Sequence, residues 1–384
     1  MSALAGCPAP TVSTLCLPRT LFAPNAVASL GDELCALSVR RPLLVTDRGV
    51  VAAGLAEKIL AACGGETSVV IFDKVTENPL FADVDSGAAL YARQACDGVI
   101  ALGGGSVIDT AKLIALLATN PGSVANYAGV PNAAHIAGAP LIVIPTTAGT
   151  GSEASPSSGI HPDAATASVG MHSRHLVPRV AILDPDLTRS LPGRLTAATG
   201  IDALSHCIEG YLSTKSVPLG KAIAIDGIAR VGRYLRRAVA NGDDTDARAE
   251  MMMAAYAGGV SIGMGLGPAH AIALSCSDQG FHHGILSGIG LVATLDFTAV
   301  GRPEQIAEIS KTLGLNTSVS LSQGVAELMR ELGLPSTLAE LSYSANDLPA
   351  LARAAHNSHF NLFAPAHPTS ADYSAMLSTS LKQT

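Results

Sequence analysis

Two textures divide this chain, and their succession restricts the fold more than any single motif does. Up to about Pro185, short runs rich in Val, Ile and Leu alternate with longer alanine-rich stretches. Residues 42–47, 68–72, 98–102 and 141–144 read as strands, and residues 49–63, 83–95 and 107–119 as helices. Such β-α-β alternation predicts a parallel sheet covered by helices. Past Asp184-Pro185-Asp186 the β-branched clusters thin out. Residues 195–211, 219–240, 247–263 and most of 305–332 then read as helices. The expected fold class is therefore an α/β N-terminal domain, residues 1–185, followed by an all-α C-terminal domain, residues 186–384. No internal repeat interrupts this plan.

The chain has 384 residues, enough for two domains with separate cores. Hydrophobic residues make up 48% and charged residues 14%, which predicts much buried helix and little disorder. The net charge is −7, with no long Lys/Arg run, so neither nucleic acid nor an anionic membrane is an expected partner. The longest apolar stretches, such as 113–118 and 141–144, are too short to span a bilayer. The opening residues lack the basic and apolar regions of a signal peptide. The seven cysteines are scattered, with no CxxC pair. Free thiols in the cytoplasm are the expectation.

Two glycine-rich runs follow expected strands. The first, Gly103-Gly104-Gly105-Ser106, joins a strand to a helix, where the helix N-terminus and close backbone approach suit a pyrophosphate. Ser106 is the expected helix cap, with Asp109 three residues on. The second run, Pro145 to Glu153, carries Thr146, Thr147, Thr150 and Ser152 among its glycines. Paired loops at strand C-termini are where open α/β sheets bind ligands. Neither run is a GxGxxG fingerprint, and the plain alternative for the first is an ordinary tight turn. Asp47 closes the first strand. It suits an adenosine ribose and would repel a 2′-phosphate, favouring NAD over NADP; the alternative is a helix cap.

Asp202 and His206 are four residues apart in an apolar helical stretch, so they share one face. Inward-facing polar groups there need a partner. His270 and His283 lie downstream. One Asp oxygen and three His nitrogens can hold a divalent transition metal with a position left open for substrate. The bland alternative is a solvated pair.

These residues resemble the iron-containing (group III) alcohol dehydrogenase family over nearly the whole chain. The resemblance rests on the GGGS-x-x-D-x-x-K stretch (103–112), P-T-T-A-G-T-G-S-E (145–153), V-A-I-L-D-P (180–185) and A-A-T-G-x-D-A-L-x-H-x-x-E (197–209). It implies a dehydroquinate synthase-like architecture: an α/β N-terminal nucleotide-binding domain, an all-α C-terminal metal-binding domain and a cleft between them. It also implies a metal held by Asp202, His206, His270 and His283. Fe²⁺ is favoured by the resemblance, although Zn²⁺ fits the ligands equally well. The implied reaction is reversible hydride transfer between NAD(H) and a small primary alcohol or its aldehyde, by a homodimer or higher homo-oligomer.

Three departures from the family pattern bear on the substrate side. The spacing from His270 to His283 is one residue short, so His282 is an alternative fourth ligand, although His283 keeps the following glycine. The position four residues after His270, often histidine in the family, is Leu274, and His282 is the expected substitute in proton transfer. A usual lysine before V-A-I-L-D-P is replaced by Ser168. Short aliphatic substrates are the default. The altered segment also allows an anionic one, although no arginine cluster marks a site for it. Two other readings share the architecture: a maleylacetate reductase-like oxidoreductase, whose pattern typically replaces the Asp retained here as Asp202, and a dehydroquinate-synthase-like lyase. A non-catalytic NAD-binding protein is a third.

Overall fold

The computed structural model describes residues 15–130, 136–215 and 217–382. The opening segment and Cys7 lie outside these residues. The N-terminal half is built on a parallel sheet of six strands: β1 (Arg19–Phe22), β2 (Pro42–Val45), β3 (Val70–Phe72), β4 (Gly98–Gly103), β5 (Leu141–Pro145) and β8 (Val180–Leu183). Their order is β1-β8-β5-β4-β2-β3. Burial explains the composition. Every residue of β2, β4, β5 and β8 is buried, because helices cover both faces, and only apolar or glycine side chains fit there. The edge strands β1 and β3 are partly exposed. Between β5 and β8 the chain makes an antiparallel hairpin, β6 (Ser157–Ile160) with β7 (Val169–His172).

The helices of this half are α1 (Leu30–Ala36), α2 (Arg48–Ala52), α3 (Leu55–Ala62), α4 (Phe81–Arg93) and α5 (Gly105–Leu117). The single helix expected over 49–63 is broken into α2 and α3. Gly54 stands between them at φ 74°, a left-handed conformation that ends one helix and starts the next. Asp184, which follows β8, is buried and accepts the backbone N–H groups of Asn25 (3.0 Å) and Asp186 (3.1 Å). It fastens the end of the sheet to the first loop, which is the local reason for an Asp-Pro pair there.

The C-terminal half is helical, as the sequence texture predicts: α6 (Gly193–Leu212), α7 (Pro218–Ala240), α8 (Thr245–Ile262), α9 (Pro268–Ser275), α10 (His283–Thr298), α11 (Pro303–Leu313), α12 (Leu321–Glu331), α13 (Leu348–His356) and α14 (Ser370–Ser380). The expected 305–332 helix is two helices, because Gly314 at φ 74° closes α11. Helix α6 is the axis of this half. It is buried from Thr196 to Gly210 and packs against α7, α8 and α10. Burying its Leu204 and Ile208 contributes about 2 kcal/mol each. The two halves meet where the second glycine-rich loop presses on α8. A Cβ on Gly259 would lie 1.9 Å from the Gly151 carbonyl oxygen, so neither backbone tolerates a side chain at this crossing. No described helix is long and apolar enough to cross a membrane.

Candidate active site

A cleft of about 1760 Å³ runs between the sheet's C-terminal edge and the helical half. Strand β2 leads to β3 on one side, whereas β4 and β5 lie on the other. The crevice between β2 and β4 is thus the topological switch point at which such sheets bind nucleotides. Asp47 stands at the end of β2 and Gly104 at the end of β4. Asp47 also caps α2, its Oδ1 accepting from Val50 N at 2.9 Å.

Nine of the ten residues expected at the nucleotide loops line this cleft: Asp47, Gly104, Gly105, Ser106, Asp109, Thr146, Thr147, Thr150 and Ser152. Gly103 does not. It is buried as the last residue of β4, and a Cβ there would strike Val107 at 2.6 Å. The expected cap at Ser106 is also corrected. Helix α5 is capped by the extended backbone of Gly104, one turn is already under way at Ser106, and the Ser106 hydroxyl donates to the Glu77 carbonyl. The two glycine-rich loops are packed together. A Cβ on Gly105 would lie 2.4 Å from Thr150 Cγ2, and one on Gly104 would lie 3.2 Å from Thr147 Cγ2. Asp109 braces them, accepting from the Ser152 hydroxyl and from Gly159 N (2.7 Å).

Beneath the loops, Lys112 is buried, donating to Ser155 O (2.9 Å) and Ser157 O (2.7 Å). Burial pulls its ammonium down to about 8, against the opposing pull of Asp109 and Glu153. Burial likewise pushes the neighbouring Glu153 carboxyl up to about 7. Lys112 closes the GGGS-x-x-D-x-x-K stretch, where the motif alone assigns it no role. Its signal was a lysine in the middle of the apolar stretch 107–117, which only a polar partner could hold there.

On the opposite wall, Asp202 and His206 project from one face of α6, His270 from the first turn of α9, and His283 from the start of α10. One donor atom from each lies within 4.8 Å of all the others. Asp202, His206 and His270 are buried, while the His283 side chain is 47% exposed toward the cleft. The His206 and His270 rings stack at 4.6 Å, and His283 Nε2 is 3.8 Å from Asp202 Oδ1. Asp202 Oδ1 and His270 Nε2 are buried with no hydrogen-bond partner among the described residues. Such atoms are costly unless a cation or another partner satisfies them, and the donor set suits a divalent metal.

The electrostatics agree. Burial drives His206 down to about 3, so its ring is neutral at ordinary pH. Burial works against ionisation of Asp202, but the surrounding His206, His283 and His270 and the Ser287 hydroxyl outweigh it and hold the carboxyl below its usual range. His270 is oriented from behind. Its Nδ1 meets Glu209 Oε2 at 2.5 Å, and Glu209 Oε1 accepts from Ala269 N at 2.8 Å. Glu209 was quoted in the sequence motif without a role. A buried carboxylate three residues after His206 on an apolar helix was the available signal.

His282 lies outside the four-residue cluster. Its Nδ1 accepts from Gly284 N at 3.1 Å and caps α10, while the residue lines the cleft. Leu274 and Ser168 line the cleft as well.

With this geometry in hand, known proteins match both halves. Residues 18–185 match the family model described as iron-containing alcohol dehydrogenase, and residues 196–381 match that of its C-terminal domain. The 4-hydroxybutyrate dehydrogenase of Cupriavidus necator is 39% identical over 370 residues, covering 93% of this chain and 96% of that one. A crystal structure of 1,3-propanediol oxidoreductase superposes with a TM-score of 0.91 at 29% identity, covering 96% of this chain and 100% of that one. The sulfoacetaldehyde reductase of Bifidobacterium kashiwanohense, solved with NAD⁺, gives 0.88 at 26% identity, over 98% and 100% of the two chains. The chain belongs to the iron-containing alcohol dehydrogenase family and is a metal-dependent, NAD-linked alcohol dehydrogenase.

Proposed function

We propose that this enzyme interconverts small aliphatic primary alcohols and their aldehydes, with one divalent metal held by Asp202, His206, His270 and His283. The observation that carries this reading is the convergence of four donor atoms within 4.8 Å on the same cleft as the two glycine-rich loops. Residues 1–185 form the nucleotide-binding domain in this reading, and residues 186–384 the metal-binding one. In the reducing direction, aldehyde, NADH and a proton give alcohol and NAD⁺. When bound, the metal supplies Lewis acidity to the carbonyl oxygen and the nicotinamide supplies the hydride.

The chain's own residues do the rest. Glu209 fixes the ring of His270 so that its Nε2 lone pair faces the cluster. Burial keeps His206 in the neutral, ligating form. The N-terminus of α5, opened by Gly104 and Gly105, offers N–H groups to the pyrophosphate. Thr146, Thr147, Thr150 and Ser152 supply hydroxyls beside it. Asp47 keeps one carboxylate oxygen for the ribose while the other caps α2, and its charge selects NAD(H) over NADP(H). His282 has only Nε2 left for proton exchange with the substrate oxygen.

Fe²⁺ is the assigned metal on the strength of the family, with Zn²⁺ acceptable to the same ligands. The reading includes a cytoplasmic homo-oligomer. The described cysteines are free thiols, and the edge strand β1 leaves Phe22 44% exposed. The relatives are named for a diol, a hydroxy acid and a sulfonated aldehyde. The reacting end is common to these names, and the far end varies.

The test is a panel of short aliphatic aldehydes with NADH or NADPH after reconstitution with Fe²⁺ or Zn²⁺. Net consumption of NADH is expected. Preference for NADPH would contradict the role of Asp47. Product without net NADH change would point to a lyase, and cofactor binding without any product to a binding protein.

A further inference from the structure

The part of the cleft beside the metal ligands carries a group of basic side chains that neither the metal nor the nucleotide uses. Lys215 follows α6, His172 ends β7, and His359 opens the turn at residues 359–363. All three line the cleft. Of the three, His359 is tied to the metal cluster through one aromatic ring. Phe360 packs against His270 at 5.6 Å and against His359 at 4.2 Å between ring centroids. His359 in turn abuts β7, where a Cβ on Gly170 would meet its Cε1 at 3.2 Å. Lys215 Nζ donates to Gly263 O at 2.7 Å and sits over the Phe363 ring at 5.4 Å. His172 Nδ1 pairs with Ser157 Oγ at 3.0 Å, which leaves its Nε2 available.

No carboxylate stands opposite these side chains. Among the described residues, none of the three forms an ion pair. The acids lining the cleft are Asp47, Asp73, Glu77, Asp109 and Asp202. The first three stand beyond the ends of β2 and β3. Asp109 is engaged by Ser152 and Gly159, and Asp202 belongs to the metal cluster. The environment already opposes protonation. Burial lowers Lys215 and His359, and burial together with Lys215, His359 and Lys112 lowers His172. A partly desolvated group of like-signed side chains without a counter-ion is unfavourable alone and becomes favourable when an anion enters.

We propose that Lys215, flanked by His172 and His359, receives a terminal carboxylate of the substrate while its carbonyl end reaches the Asp202–His283 cluster, so that short ω-oxo acids and the matching ω-hydroxy acids are the preferred substrates. This rests on the dehydrogenase reading above and adds its specificity. The single ring of Phe360 between His270 and His359 limits the linker to a few methylenes. The carboxylate is unchanged in the reaction: ω-oxo acid, NADH and a proton give ω-hydroxy acid and NAD⁺. The basic residues position the chain and neutralise its charge, taking no part in hydride transfer.

The test compares 4-oxobutanoate with butanal, which has the same carbon count and no charge, on the metal-reconstituted enzyme. The wild type is expected to prefer 4-oxobutanoate in kcat/KM. Lys215→Met is expected to shrink that preference by roughly tenfold to a hundredfold, mainly through KM for the acid, as expected for loss of a charge-assisted contact. Lys215→Arg should restore part of it, and His172→Gln should reduce it less than Lys215→Met does. 2-Sulfoacetaldehyde in place of 4-oxobutanoate reports whether a sulfonate is accepted at the same position. Its discrimination against propanal should fall in Lys215→Met as well. If the wild type reduces both C4 aldehydes without discrimination, or Lys215→Met keeps the full preference, the subsite is refuted while the dehydrogenase reading stands. If neither aldehyde is reduced, the dehydrogenase reading fails and the subsite with it.

Discussion

Glu209→Gln separates orientation of the metal site from the site itself. The Glu209 side chain is buried and holds two partners, His270 Nδ1 at 2.5 Å and Ala269 N at 2.8 Å. Glutamine has the same shape and keeps one oxygen for Ala269, but it removes the charge that would strengthen His270 as the proposed ligand. Loss of such an outer partner weakens metal binding by about tenfold to a hundredfold, or about 1.4 to 2.8 kcal/mol. Glu209→Ala should be worse, since it also strands the Ala269 N–H and the ring in a buried space. The assay is chelator competition: Fe²⁺ or Zn²⁺ retention at fixed chelator concentrations, with circular dichroism to confirm the fold. The expected order of affinity is wild type, then Glu209→Gln, then Glu209→Ala. Unchanged metal retention in Glu209→Gln with intact structure would refute the orienting role. A loss of fold in Glu209→Gln that tracks the loss of metal would assign Glu209 to general stability instead.

Gly104→Val should raise the NADH dissociation constant at least severalfold with metal content near normal, because its Cβ would lie 3.2 Å from Thr147 where the two loops face the cleft; fluorescence titration of NADH checks this, and unchanged affinity would make the loop merely structural. His283→Ala should lose metal, whereas His282→Ala should keep it and show lower turnover with an altered pH profile; metal loss confined to His282→Ala would reverse the ligand assignment. Glu153 links stability to pH. Its folded carboxyl is raised to about 7 from the ordinary 4.5, so the folded chain binds the extra proton between those values and stability falls as pH rises through the window, by at most about 1.4 kcal/mol per pH unit. Glu153→Gln should therefore gain on the wild type in denaturant melts between pH 5 and pH 7, and a pH-independent difference would contradict it.

The proposed metal site was the most legible part of the sequence because its chemistry is local. The i, i+4 spacing of Asp202 and His206 survives folding unchanged, and a buried Asp beside a His has few other uses. The choice between His282 and His283 rested on adjacent residues of one type. Folding separates them at the start of α10, where His282 serves as the cap and His283, the first residue, joins the four-residue cluster. The strands β2, β4 and β5 announced themselves as continuous apolar runs. The hairpin β6–β7 did not, because Ser157, Gly159, Gly170 and His172 carry neither alternation nor β-branched weight. The helix breaks at Gly54 and Gly314 sit inside alanine-rich or helical spacing, and a left-handed glycine leaves no other trace in such a stretch. The basic group of Lys215, His172 and His359 was invisible for a different reason. Its members come from three separate elements, none is arginine, and only the folded cleft brings them to one wall.

Under the proposed function, one divalent metal, held by Asp202, His206, His270 and His283, is required for NAD-linked reduction of an aldehyde. Metal stoichiometry and NADH consumption, measured on the same preparations of wild type and His206→Ala, test it most directly. His206 is buried in the cluster, its ring stacked on His270, so the alanine variant removes a proposed ligand and one wall of the site together. One metal per chain and turnover are expected in the wild type, and loss of both in His206→Ala while the fold persists. Full metal occupancy with full turnover in His206→Ala would contradict it.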